Sequence, residues 1–176
     1  MIRNLSYSRL AACAAVAVIA LPGCMSAGNG TNAEDAPAVR MEDVLITIER
    51  TPCFGTCPVY TLSLTGEGVV TFNGTRFTRV TGLAVDTVAA DSVAVLLDEI
   101  QAAGYFTMKE NYTPSQPDAC GMYHTDAPSV TTAVKTNTQS KQIVNYHGCN
   151  GAPAALRAVE DAIDRVANTK QWLNQN

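Results

Sequence analysis

The sequence predicts an α+β fold: an antiparallel sheet of about five to six strands packed with two helices. Three observations carry this. Between Asp43 and Tyr146 short runs alternate apolar and polar residues with period two. Two other stretches repeat apolar residues at helical spacing, and the strands follow one another instead of alternating one by one with helices. With 47% hydrophobic and 16% charged residues among 176, the chain can fill one core.

In the first strand Val44, Ile46 and Ile48 alternate with Leu45, Thr47 and Glu49, and the run stops at Pro52. Pro58 to Thr65 alternates again, with Tyr60, Leu62 and Leu64 on one face and Val59, Thr61, Ser63 and Thr65 on the other. Gly66-Glu67-Gly68 turns the chain into a third strand, Val69 to Phe72. Asn73-Gly74 then reads as a type I′ hairpin turn, because both central positions of that turn need positive φ. Arg76 to Thr81 is therefore expected as its antiparallel partner.

Val93, Leu96, Leu97 and Ile100 fall at i, i+3, i+4 and i+7, with Asp98, Glu99 and Gln101 on the other face, as in an amphipathic helix. Asp86, Thr87 or Asp91 would cap its start, and Gly104 would stop it. A long polar loop with Pro114, Pro117, Asp118 and Cys120 leads to two more strands, Val130 to Thr136 and Lys141 to Tyr146. Pro153 suits the first position of a last helix that buries Leu156, Val159, Ile163 and Val166, and Trp172 would close that core. Both helices are expected on one face of the sheet. The alternative places them on opposite faces, and periodicity does not choose.

The N-terminus has a different character. Arg3 and Arg9 precede an apolar stretch from Leu10 to Leu21, the layout of an export signal. At about twelve residues that stretch is well short of the roughly 20 that span a bilayer. Leu21-Pro22-Gly23-Cys24 follows and resembles the lipobox of bacterial lipoproteins. The resemblance implies that residues 1–23 are a signal peptide, that the Cys24 thiol is diacylglycerated, and that Cys24 becomes the new N-terminus. Met25 stands where inner-membrane retention signals have Asp, which by resemblance implies an outer-membrane destination facing the periplasm in a cell with two membranes. Residues 24–41 are rich in small and turn-forming residues and read as a flexible tether spanning on the order of 20 to 25 Å. Residues 42–176 form the single domain.

The formal net charge is −4, and loss of Arg3 and Arg9 with the leader makes the remainder more acidic. Such a surface repels nucleic acid and anionic head groups alike, so membrane contact is assigned to the acyl chains. Cys13 leaves with the leader and Cys24 takes the lipid, so Cys53, Cys57, Cys120 and Cys149 remain. In an exported chain an even number reads as disulfides. Of three possible pairings, Cys53 with Cys57 and Cys120 with Cys149 is preferred, because the first two flank one short loop.

The most distinctive segment is Thr51-Pro52-Cys53-Phe54-Gly55-Thr56-Cys57-Pro58-Val59-Tyr60. It resembles the signature Pro-Cys-Phe-Gly-x-Cys-Pro-x-Tyr of an uncharacterised bacterial domain family. The similarity continues at Thr125-Asp126-Ala127-Pro128, at Tyr146-His147-Gly148-Cys149 and at Ile163-Asp164. The family has no assigned function, so the resemblance implies no activity. Cys-x-x-x-Cys-Pro is also similar to the copper site of the chaperones that assemble cytochrome oxidase, which implies Cys53 and Cys57 as thiolate ligands, with His124 or His147 as a third. In that family the motif precedes a helix, whereas here it precedes an alternating strand.

No Gly-x-Ser-x-Gly, His-Glu-x-x-His or phosphate-binding Gly-Lys-Ser/Thr occurs. A nucleophile pair of Cys149 and His147 competes with the simpler reading of half a cystine and a strand end. Asp118, Asp126, Asp161 and Asp164 read as loop, turn and solvent-face residues, with Asp161 and Arg165 as an i, i+4 surface pair. The function expected is a cell-envelope lipoprotein whose domain is a non-enzymatic binding or structural module without a cofactor. The alternative is a copper-binding or thiol-redox protein built on Cys53 and Cys57. No protein or small-molecule partner is identified.

Overall fold

The computed structural model describes residues 37–174. Period-two alternation builds most of the sheet. In β1 (Leu45–Arg50), Ile46 and Ile48 are buried while Leu45 and Glu49 face outward. β2 (Val59–Thr65) buries Tyr60, Leu62 and Leu64, and β3 (Val69–Arg76) buries Val70 and Phe72. β4 (Gly82–Thr87) leads into α1 (Ala90–Ala102), and β5 is the pair Asn111–Tyr112. α2 (Pro117–Cys120) precedes the hairpin β6 (Ser129–Lys135) and β7 (Ser140–Tyr146), and α3 (Ala154–Val166) follows it. The strand order is β4-β3-β2-β1-β6-β7-β5, antiparallel throughout except that β5 runs parallel to β7.

The result is an α+β domain with a seven-stranded mixed sheet and three α-helices, larger than the five or six antiparallel strands and two helices expected. The additions come from the segment read as a polar loop. It buries Tyr105 and Tyr112, contains α2, and adds β5 beside β7. A two-residue strand is too short to show alternation, and a four-residue helix too short to show a helical repeat.

Buried side chains from β1, β2, β3 and β6 meet Val93, Leu96, Leu97 and Ile100 of α1 and Leu156, Val159 and Ile163 of α3 in one cluster. Both long helices therefore lie on one face. Each fully buried aliphatic side chain contributes roughly 1.5–3 kcal/mol. Trp172 stacks on Phe72 at 4.8 Å between ring centroids, and Phe72 meets Tyr60 at 5.2 Å, so the tryptophan closes the core over β3. The other face carries Thr61, Ser63, Thr71, Asn73 and Thr131, which line an open cavity of about 360 Å³.

Three local expectations are corrected. Asn73 and Gly74 do not turn the chain; both sit inside β3, paired with Leu83 and Gly82 of β4, and the connection is made by the segment after Arg76. Gly74 has no positive φ, and its glycine is required by space: a Cβ there would lie 2.1 Å from the Val80 carbonyl oxygen. Arg76 to Thr81 is accordingly no strand, since β3 ends with Arg76 and β4 begins at Gly82. α1 starts after Ala89 without a side-chain cap, because Asp86 and Thr87 belong to β4 and Asp91 lies in the first turn. Pro153 occupies the N-cap, one residue before the helix. Gly104, in the left-handed region at φ 71°, follows the C-cap of α1 as a stop should.

Candidate functional site at the disulfide-bearing end of the sheet

The antiparallel order brings the C-terminal ends of β1 and β7 and the N-terminal ends of β2 and β6 to one end of the sheet. The motif residues gather there. Between β1 and β2, Cys53 and Cys57 are disulfide-bonded, with a Cα separation of 5.7 Å. Gly55 takes φ 146° at the tip, a conformation that side chains with a Cβ rarely adopt. The ring is docked onto the neighbouring loop by the Phe54 N–H, which donates to the Asp126 carbonyl at 3.0 Å, while the Phe54 side chain stands 90% exposed.

Cys120 and Cys149 form the second disulfide, with Cα atoms 4.8 Å apart and both residues buried. The loop it ties down is laced to the end of β7. The His124 N–H donates to the Gly148 carbonyl, the Tyr146 hydroxyl donates to the His124 carbonyl, and the Ala127 N–H donates to the Tyr146 hydroxyl. That loop exposes two further large side chains, Met122 and Tyr123.

Beneath this end a polar network fastens α3 to the sheet. Arg50 and Tyr60 are cross-strand neighbours at the end of β1 and the start of β2. The Arg50 guanidinium donates to Asp164 Oδ2 through Nη2 at 2.6 Å and through Nε at 2.9 Å, and the Tyr60 hydroxyl donates to Asp164 Oδ1 at 2.7 Å. Burial alone would weaken the charge on Arg50, but Asp164 and Tyr60 outweigh it and hold the guanidinium above its ordinary value. Burial and then the Asp164 carboxylate push the Tyr60 hydroxyl well above its usual range, so it stays a protonated donor.

One helical turn earlier Glu160 is buried at 1% exposure. Its Oε1 accepts from Asn145 Nδ2 at 2.7 Å, and its Oε2 lies 2.7 Å from His147 Nε2. Arg157 holds the His147 carbonyl from the outside. Nearby, burial pushes the Tyr105 hydroxyl up to about 12, against the lowering effect of its bond to Thr132.

Several sequence readings change here. Asp164 is not a solvent-face residue, and Asp161 does not pair with Arg165; Arg165 binds Glu99 at 2.8 Å, while Asp161 stands 3.9 Å from Arg50. His147 is engaged by Glu160, and His124 is exposed in the loop before β6. Among the described residues no group of three or more His, Cys, Asp or Glu side chains is arranged to hold a metal ion. Arg50, Asn145 and Glu160 were not singled out from sequence. Glu160 left a readable trace, since it lies four residues after Leu156 on the stripe that buries Val159 and Ile163. Cys24, the segment 1–23 expected as a signal peptide and the expected tether up to residue 36 lie outside the described residues. From Ala38 onward the chain is held, with Asn137 binding both the Ala38 carbonyl and the Arg40 N–H.

Five surface cavities of 220 to 500 Å³ are lined by other residues, so none of these five opens onto Glu160, Asp164 or His147. The network acts as a fastening, and the part of this end that meets solvent is the pair of disulfide-tied loops. These features define a disulfide-stapled α+β domain with its long helices on one face of a mixed sheet. The chain belongs to the DUF6438 family, a domain of unknown function, whose model matches residues 44–167, from Val44 just before β1 to Ala167 just after α3. No curated protein matches the chain.

Proposed function

We propose that this chain is a cell-envelope lipoprotein, anchored through acyl chains on Cys24, whose domain serves as a non-enzymatic binding or structural module. The observation that carries this reading is the pair of disulfides, since such bonds persist in oxidising compartments and are rare in the cytosol. The Arg3/Arg9 leader and the Leu21-Pro22-Gly23-Cys24 motif supply the address. An outer-membrane position facing the periplasm follows where the cell has two membranes. The surface offered to a partner is the end bearing Phe54, Met122 and Tyr123, because aromatic and methionine side chains are enriched at protein interfaces. The described chain enters β1 at the end of that strand opposite the exposed loops.

Metabolic labelling with a fatty acid tests the anchor. The wild-type chain is expected to take up label, and Cys24→Ala to lose it while keeping its leader. Label retained by Cys24→Ala at the wild-type level overturns the localisation.

A second reading is favoured by one difference between the disulfides: Cys53 and Cys57 are half-exposed, whereas Cys120 and Cys149 are buried. A thiol-redox or copper-handling role would use the accessible pair. Thiol counting on folded protein separates the two readings. All four mature cysteines blocked under mild reductant supports the binding module. A Cys53/Cys57 pair that opens alone and takes up stoichiometric Cu(I) supports the alternative.

A further inference from the structure

β4 closes the sheet on one side and β5 on the other, and the two edges are finished differently. β5 is two residues long, a short edge that offers little to pair with. β4 has six residues in register with β3 and no bulge. The Val88 N–H donates to the Gly68 carbonyl, which sets the phase of the ladder. Gly82, Ala84 and Asp86 therefore turn their main-chain groups toward β3, and Leu83, Val85 and Thr87 turn theirs to the free edge.

The Thr87 N–H is already taken by the Asp86 carboxylate at 2.8 Å. Among the described residues no hydrogen bond from outside the ladder reaches the main chain of Leu83 or Val85. Their side chains are 76% and 68% exposed. Of the usual guards of an exposed edge, Gly82–Thr87 has no lysine, proline or bulge, and its one charge, Asp86, is held by Gln171 at 2.8 Å with its main chain turned toward β3.

We propose that β4 is a self-association edge: two copies of this chain join β4 to β4 antiparallel about a two-fold axis at Ala84. The strand is its own complement in this register. Leu83 falls opposite the partner's Val85, and Val85 opposite the partner's Leu83, so the outward N–H and C=O groups of each copy meet those of the other. Two apolar cross-strand pairs cover each other on the same face. Asp86, the only charge in the strand, falls opposite the partner's Gly82, so no like charges meet.

Sedimentation velocity of the full chain tests this. The mass is expected to double at tens of micromolar protein and to fall to that of a single chain on dilution. Val85→Pro deletes only an outward N–H, so it should leave the bonds to β3 intact and keep the chain monomeric at the same concentrations. Val85→Lys, which keeps the main chain unchanged, should do the same, with near-UV circular dichroism checking the fold of both variants. Ala84→Cys places two thiols at a non-hydrogen-bonded pair with Cα atoms about 4.5 Å apart, within disulfide reach, so it should crosslink on oxidation. Thr87→Cys should not. A wild-type chain that stays monomeric, a dimer that survives both Val85 variants, or crosslinking by Thr87→Cys equal to that by Ala84→Cys would each overturn the proposal.

Discussion

Replacing Cys120 and Cys149 together by alanine is expected to lower the unfolding free energy by about 3 to 4 kcal/mol. The disulfide spans a sequence separation of 29, and closing a ring of that size removes unfolded-state entropy worth roughly 3.6 kcal/mol at room temperature. Its native contribution is local as well. It holds α2 against the turn after β7, where the Gly151 N–H donates to the Cys120 carbonyl and the Asn150 N–H to the Met122 carbonyl. The ring from Cys53 to Cys57 spans a separation of only 4, for which the same arithmetic yields about 2 kcal/mol. Urea unfolding of the two double-alanine variants should therefore rank them with the Cys120/Cys149 variant less stable. A reversed order would mean that the small ring acts mainly by holding β1 and β2 in register, and the entropic argument would fail for this protein.

Asp164→Leu is expected to cost about 3 kcal/mol, because it strands Arg50 and Tyr60 with their donors facing an apolar side chain. Asp164 accepts from both groups, and its side chain is only 21% exposed against 19% for Arg50, so water reaches the pair poorly. Asp161 does not replace it, being 3.9 Å from Arg50 with its own side chain 83% exposed. The double change Arg50→Met with Asp164→Leu should recover most of the loss, since two apolar residues leave no charge unpaired. Equal losses in the single and double variants, measured by the same urea titration, would show that the ion pair does not couple α3 to the sheet. The Tyr60 hydroxyl is left without its acceptor in both the single and the double variant, so a residual loss in the double variant is assigned to it.

The α+β class, five of the six longer strands, both long helices and the tryptophan that closes the core are legible in the sequence alone. Each of these rests on a repeat that outlasts local noise, such as Tyr60, Leu62 and Leu64 on one face of β2, or Val93, Leu96, Leu97 and Ile100 on one stripe of α1. A repeat of two or 3.6 residues reports which side of an element is buried and is silent about which neighbour buries it. Strand order, the parallel addition of β5 and the choice of a single face for both helices were accordingly decided only in three dimensions.

Asn73-Gly74 makes the same point at one position. Local turn propensity favours a hairpin there, but continued pairing with β2 and β4 keeps both residues extended and moves the turn beyond Arg76. The polar network was hidden for a related reason. Asp164 and Glu160 look like the solvent face of a helix until Arg50, Tyr60, Asn145 and His147 arrive from β1, β2 and β7. Only the folded sheet brings Arg50 within reach of a partner 114 residues away.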